Sequence, residues 1–411
     1  MRVPELLAPA GNMDSLRAAI HFGADAVYGG MKRFGLRAFA GNFGPEELEE
    51  AAGLCHRAGK KFYVTMNCYP FDDELDAFAQ AAREARRLGA DAAIVADPGA
   101  ITVLRREVPE MPVHVSTQAN TLNAPAVELY RSLGCSRVIL AREMSLERIR
   151  ALKEKTGDGI ELETFVHGAS CMAYSGRCML SAYLTGRSGN RGECAQPCRW
   201  QYAVTEEKRP GEYIPVAEDG RGTYLFSARD LCLMPLLPRL CEAGVASLKI
   251  EGRMKTEYYV AVVTGAYRRA LDLLARGEAY FLEALPALEE ELRCASHRLS
   301  DTGFLLGNPE APGEAEGFWQ EREYVARVLE GPGADGKARL LLKNRFCAGD
   351  ALELMTPGGI VPVTAEAFLR EKTGETLETL GVAGETIRMR LPACGAGDML
   401  RGPVRNHRRE K

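Results

Sequence analysis

The chain has 411 residues, of which 46% are apolar and 26% charged, with a formal net charge of −4. That length exceeds one ordinary core and suits a large domain with a smaller companion. The composition is that of a globular protein, no run approaches the apolar length needed to cross a bilayer, and the charge balance leaves no global footprint for nucleic acid, so any RNA would be gripped by local patches.

From the N-terminus, short apolar runs alternate with amphipathic helical patterns. Strands are predicted at 5–10 (ELLAPA), 25–30 (DAVYGG), 61–68 (KFYVTMNC), 92–97 (AAIVAD), 112–118 (PVHVSTQ), 137–142 (RVILAR), 160–167 (IELETFVH) and 247–253 (SLKIEGR). Helical segments such as PEELEEAAGLCHRAG and DDELDAFAQAAREARRLG lie between them and close on glycine, and Asn12 or Asp14 is the expected cap of the first helix. Eight strands, nearly all followed by helices, predict an α/β fold, a (β/α)8 TIM-type barrel over residues 1–300.

One unit breaks this rhythm. After the seventh strand the chain makes a long excursion, at about 169–225, before SARDLCLMPLLPRLCEAG is expected to resume as a helix. Loops that follow the strands of such a barrel lie on its C-terminal face, where catalysis takes place, so this insertion is expected to cap the mouth. After the eighth strand come a long helix, TEYYVAVVTGAYRRALDLLARG, a second helical stretch, EALPALEEELRCASHRLSD, and a linker at 301–320. From 321 to 411 the texture turns to short β segments separated by Gly-rich turns, which predicts a small C-terminal antiparallel β-barrel or sandwich.

The insertion holds Cys171, Cys178, Cys194 and Cys198 at intervals of six, fifteen and three residues, and Cys232 follows. The start, MRVPELLAPAG, has no signal-like character, so a reducing, cytoplasmic setting is expected, where grouped thiols mean metal or redox chemistry. Irregular spacing suits a polynuclear iron–sulfur site better than the two short knuckles of a zinc ribbon, although zinc stays open. Cys55, Cys135, Cys241, Cys294, Cys347 and Cys394 stand singly and read as core fillers, while Cys68 ends a predicted strand.

On a barrel, residues at strand C-termini converge: Tyr28, Asn67, Asp97, Gln118, Arg142, Glu143, His167, Lys249, Glu251 and Arg253. Lys249, Glu251 and Arg253 alternate along one strand and would share a face, able to bind an anion while Glu251 orients the basic pair or moves a proton. The same three residues also read as an ion-pair network closing the barrel end. His167, four residues before Cys171, could be a general base, a metal ligand or a buried hydrogen-bond donor. Glu163 is expected on the same side as Phe165 and His167, where it would need a partner. Arg177, Arg187, Arg191 and Arg199 surround the cysteines, and Arg401, Arg405, Arg408, Arg409 and Lys411 mark a basic tail; both groups could be phosphate contacts or solvated surface. H-E-x-x-H, G-x-S-x-G and C-x3-C-x2-C motifs and a dinucleotide fingerprint are all absent, and GPGADGKA lacks the closing Ser or Thr of a phosphate loop.

ELLAPAGNMDSLRAAIHFGADAVYGG, ETFVHGASCMAYSGRCMLSAYLTGRSGNRGECAQPCRWQY, LFSARDLC and SLKIEGRMKTEYYV resemble the peptidase U32 family, and SHRLSDTGF and KNRF extend the match into the β domain. Within that family the two-part architecture is similar to the tRNA uridine hydroxylases, which form 5-hydroxyuridine at the wobble position, depend on iron–sulfur assembly and are linked to prephenate as co-substrate. The resemblance implies a 4Fe-4S cluster on Cys171, Cys178 and Cys194, with Cys232 or Cys198 as fourth ligand. It also implies tRNA as partner, held by the arginines, a carboxylate co-substrate held by Lys249 and Arg253, and a uridine stacked on Tyr174, Tyr183 or Trp200. His167, Lys249, Glu251 and Arg253 are the catalytic candidates. The family label keeps open a collagenase-like peptidase, with Cys171 beside His167. A third reading is a non-catalytic binding module stapled by the metal, and a homo-oligomer or paralogue partner also stays open.

Overall fold

A computed structural model of the chain describes residues 3–35, 41–171, 178–189, 192–200, 203–205, 213–215, 229–307 and 318–405. The first seven strands are β1 (Glu5–Pro9), β2 (Ala26–Gly30), β3 (Lys61–Thr65), β4 (Ala92–Val95), β5 (Val113–Val115), β6 (Arg137–Ile139) and β7 (Glu161–Ala169). A hairpin of β8 (Ala203–Thr205) and β9 (Tyr213–Pro215) and a short strand β10 (Asp230–Cys232) precede β11 (Ser247–Ile250). Neighbours from β1 to β7 pair in order, and β11 pairs in parallel with both β7 and β1, so eight strands close the predicted barrel.

Helices α1 (Met13–His21), α2 (Pro45–Arg57), α3 (Leu75–Arg87), α4 (Pro98–Glu107), α5 (Ala124–Ser132) and α6 (Leu146–Thr156) follow the first six strands. Asn12 caps α1 by accepting from the Ser15 amide at 2.9 Å, and Asp97 caps α4 by accepting from Ala100 at 2.8 Å. The helix–barrel contact follows from spacing: α3 buries Phe78, Ala79, Ala82 and Ala85 on one stripe and leaves its arginines outward. After α7 (Leu180–Thr185) and α8 (Leu237–Glu242), the chain ends its barrel half with α9 (Glu257–Arg276) and α10 (Glu278–Arg293).

Where a helix was expected after residue 228, Asp230–Cys232 forms β10, antiparallel to the far end of β7 and followed by β12 (Ser300–Asp301) as its other neighbour. Pro235 and Pro238 lack the amide donors a long helix needs there, and α8 is only six residues. β7 therefore runs for nine residues, crosses the barrel rim and forms a stem with β10. The insertion expected at 169–225 starts and returns at this stem; its residues 172–177, 190–191, 201–202, 206–212 and 216–228 lie outside the described residues, as do 308–317 of the expected linker.

The β region has its own core of Val325, Leu340, Leu354, Phe368, Ile387 and Leu400, among others. Strands Arg322–Glu330, Lys337–Leu342, Ala351–Thr356, Gly359–Thr364, Phe368–Arg370, Thr376–Leu377, Thr386–Arg390 and Met399–Pro403 make an eight-stranded antiparallel sheet. Pro362 interrupts Gly359–Thr364, which lies at the sheet edge, where a missing amide is tolerated. This sheet docks on the barrel through ion pairs: Arg401 grips buried Glu291 with two bonds of 2.8 and 2.7 Å, and the partly exposed Arg327 reaches both Asp14 and Glu257 at 2.8 Å. The Tyr324 ring stacks on Tyr258 with centroids 5.3 Å apart. Among the described residues, no helix is long and apolar enough to cross a membrane.

Candidate active site

The lower barrel is filled by charge as well as by hydrocarbon. Arg137 on β6 bonds Glu5 at 2.6 Å and Glu163 at 3.0 Å, and Lys249 on β11 bonds the other oxygen of Glu163 at 3.1 Å. Tyr63 and Ser247 donate to Glu5 at 2.8 and 3.1 Å. Glu163 and Lys249 are both buried, so the pair persists only because each charge is compensated. Burial is the largest influence on Lys249 and lowers its pKa despite the opposing pull of Glu163. On Glu5, burial pushes the carboxyl up, but Arg137 and its hydrogen bonds outweigh it and the pKa falls. Glu163 thus has the partners its core position demands.

Above this layer a cavity of about 50 Å³ opens at the strand C-termini, lined by Tyr28, Thr65, Asn67, Ile94, Ser116, Thr117, Gln118, Ile139, Arg142, Phe165, Lys249, Glu251 and Arg253. Lys249 lies 4.3 Å over the Tyr28 ring, Arg142 lies 4.1 Å over Phe165, and Arg142 approaches Glu251 at 3.5 Å. Arg253 donates to Thr65 Oγ1 at 2.7 Å and to Asn42 Oδ1. Cations over aromatic faces in a cavity make a site for an anionic group. Gly30 makes room for Arg253: a Cβ there would overlap Nη2 of Arg253 and lie 2.6 Å from Asn42 Oδ1.

Lys249, Glu251 and Arg253 line one cavity, joined by Tyr28, Asn67, Gln118 and Arg142, although β11 ends at Ile250 and only Lys249 lies on the strand, Glu251 and Arg253 following it. Asp97 is instead the α4 cap, and Glu143 does not line the cavity. His167 also lies outside it. The β7–β11 register runs from Lys249↔Phe165 to Ile250↔His167, so Val166 is an extra residue. That bulge ends the shared face of Glu163, Phe165 and His167. His167 packs against Tyr259 and Tyr267 of α9, at ring distances of 6.1 and 5.6 Å, and burial holds its pKa down at about 3, so the ring is neutral. Gly168 follows at φ 103°, a left-handed conformation, and a Cβ there would come within 2.5 Å of the Glu251 carbonyl oxygen. Thr65, Ser116, Thr117 and Asn42 were not singled out from sequence; the polar run Ser116–Thr117–Gln118 just past β5 was the available signal.

Two of the cysteines stand at the stem. Cys171 lies two residues beyond β7 and is exposed, and Cys232 lies opposite His167 in the stem, where burial raises its thiol pKa. The amides of Leu180 and Gln196 point at the sulfurs of Cys178 and Cys194, both at 3.4 Å, contacts that a metal-bound sulfur can accept. A Cβ on Gly189 would lie 3.9 Å from the Cys194 sulfur and 3.6 Å from the Cys178 carbonyl oxygen, which brings these two segments side by side. The donor set therefore fits an iron–sulfur group in kind. Among the described residues no three ligating side chains converge, and no coordination geometry follows. Tyr183 and Trp200 are exposed, Tyr174, Arg177 and Arg191 lie outside the described residues, and Arg187 donates to the Glu193 carbonyl oxygen at 3.0 Å. In the tail, Arg401 and Arg405 pair with Glu291 and Asp350, and Arg408, Arg409 and Lys411 lie outside the described residues.

Two family models match the chain: Peptidase family U32 over residues 11–315 and Peptidase family U32 C-terminal domain over 320–401. The tRNA hydroxylation protein P of Escherichia coli (strain K12) is 37% identical over 95% of this chain and 94% of its own length. The tRNA hydroxylation protein P1 of Bacillus subtilis (strain 168) is 38% identical, over 86% and 84%. A protein named collagenase from Porphyromonas gingivalis (strain ATCC BAA-308 / W83) is 35% identical, over 74% and 73%. With both parts of the chain matched in order, this protein belongs to peptidase family U32.

Proposed function

We propose that this protein is a tRNA hydroxylase that oxidises C5 of a wobble uridine, with a small carboxylate, prephenate being the candidate, as co-substrate in the barrel cavity. One observation carries this reading: the donor-rich cavity opens beneath the root of the cysteine insertion, and Arg142 belongs to both, bonding the Ala169 carbonyl oxygen at 2.6 Å. The similarity to the tRNA hydroxylation proteins over nearly the whole chain supports it.

Lys249 and Arg253 would receive the carboxylate, and Glu251, held near Arg142, is placed to orient the acid or to take a proton. Cys171, Cys178 and Cys194, with Cys232 or Cys198, would hold the iron–sulfur cluster, which when bound supplies electron transfer at the mouth. The uridine would be unstacked from its loop and presented there, near the exposed rings of Tyr183 and Trp200. Burial of Lys249 and Arg253 strengthens their contacts to a bound anion.

The collagenase-like alternative asks for Cys171 activated by His167. His167 instead faces α9, where it is neutral and packed on tyrosines, which gives that pairing no support. The test is nucleoside mass spectrometry of bulk tRNA from cells with and without the gene. Loss of 5-hydroxyuridine and its derivatives, restored by the wild type but not by Cys171→Ser or Lys249→Met, is the expected result. An unchanged profile in cells with no second copy of the gene overturns the proposal.

A further inference from the structure

The cavity has two walls of different chemistry. β11 and the segment after β6 supply Lys249, Glu251, Arg253 and Arg142, whereas the ends of β3 and β5 supply the neutral group Asn67, Ser116 and Gln118. Within that group, Asn67 Nδ2 donates to Gln118 Oε1 at 2.9 Å, and the Ser116 hydroxyl donates to the same oxygen. The Gln118 backbone is pinned as well, its carbonyl oxygen accepting from Tyr69 Oη at 2.7 Å and Asn120 Nδ2 at 3.1 Å. Two donors on Oε1 define the orientation of the amide and leave Nε2 as the group that Gln118 offers to the cavity. Gln118 is only 8% exposed as a residue, and its Nε2, which carries no hydrogen bond among the described residues, is not itself a fully buried atom and so is open to the cavity. An amide donor facing the cavity in a fixed orientation is available to a ligand acceptor placed there.

The opposite wall is also made mainly of donors. Three cations, Lys249, Arg142 and Arg253, and one carboxylate, Glu251, line the cavity, so an anion complements it better than a pyrimidine, which is uncharged and carries its own N–H donor. A small acid with oxygen at both ends satisfies both walls.

We propose that Gln118 is a specificity-determining residue for the small acid: with the carboxylate on the Lys249–Arg253 wall, Gln118 Nε2 donates to a second oxygen, carbonyl, hydroxyl or carboxylate, at the far end. This rests on the reading of the cavity as the co-substrate's seat. It adds that an acid lacking a remote oxygen is discriminated against, and that discrimination is exerted without RNA.

The experiment is ligand-observed NMR titration of the full chain, with no RNA, using straight-chain alkanoates of three to six carbons and their ω-hydroxy acids. The best ω-hydroxy acid should bind wild type about three- to tenfold more tightly than its parent alkanoate, the worth of one neutral hydrogen bond. Gln118→Met, close in shape but without the donor, should abolish that ratio while the parent alkanoate keeps its affinity, which also shows that the variant is folded. Gln118→Glu should weaken α,ω-dicarboxylates relative to the alkanoates and decides the matter if the Met variant does not fold. A wild-type ratio near one, or a ratio unchanged in the variants, overturns the role of Gln118 while leaving the seat intact. Failure of every acid to bind wild type overturns the seat itself and the proposal with it.

Discussion

Arg142 Nη1 donates to the carbonyl oxygen of Ala169 at 2.6 Å, two residues before Cys171. The same guanidinium lies 4.1 Å over Phe165 and 3.5 Å from Glu251, so one planar side chain joins the cavity wall to the stem of the insertion. Lysine cannot make those contacts together. Arg142→Lys should therefore speed amide exchange at the end of β7 and in β10 by about tenfold, consistent with the loss of a charge-assisted bond. Hydrogen–deuterium exchange read by mass spectrometry checks this, and unaltered protection of the stem would show that Arg142 is not what secures it.

Gly30 and Arg253 cannot both be large. A Cβ at position 30 would overlap the guanidinium, so Gly30→Ala should destabilise the protein by about 1–3 kcal/mol in urea denaturation. The cost should shrink when Arg253→Ala is added, because the two changes share one contact and are not independent. Strict additivity would refute the steric account.

The carboxylate of Glu163 serves two buried cations, Arg137 and Lys249. Replacing Glu163 by Leu should cost about 3–5 kcal/mol, since both cations lose their shared counter-charge. Adding Lys249→Met to Glu163→Leu should recover part of that loss. Denaturant midpoints of the single and double variants measure it, and a double variant weaker than Glu163→Leu would contradict the pairing.

His114 is buried beside the Tyr63 ring, with centroids 4.7 Å apart, and burial first, then Arg137, Lys249 and Lys61, holds its pKa well below the ordinary 6.5. The unfolded chain therefore takes up a proton that the folded chain refuses. The stabilisation is full above about pH 6.5 and is lost as pH falls towards the depressed folded value, with a slope of up to about 1.4 kcal/mol per pH unit. His114→Phe should flatten this part of the acid limb of the stability–pH curve; an identical limb would assign the slope to other groups.

The barrel was legible because periodicity and strand count are long-range signals that survive local error. Lys249, Glu251 and Arg253 were legible because they lie at and just past one strand C-terminus, where a barrel gathers its site, although β11 ends at Ile250 before alternation reaches the last two. His167 was not: a single extra residue, Val166, reverses a face without leaving any mark in hydrophobicity. β10 was hidden for a related reason, since three residues pair only because β7 overshoots the rim. Gly30 and Gly168 carry clear information about the site, but it concerns what a Cβ would strike, which depends on residues far away in the chain.

The stem made by the end of β7 and β10 has one more consequence. Ala169 and Asp230 face each other across an antiparallel ladder, so the intervening segment begins and ends at neighbouring points on one scaffold. Such a segment is exchangeable: replaced by a two-residue Asn-Gly hairpin turn, it should leave the barrel able to close, because the ladder already supplies the geometry such a turn requires. The cysteine segment can then be treated as a cartridge, lengthened, shortened or transplanted between relatives, with the β/α host unchanged beneath it.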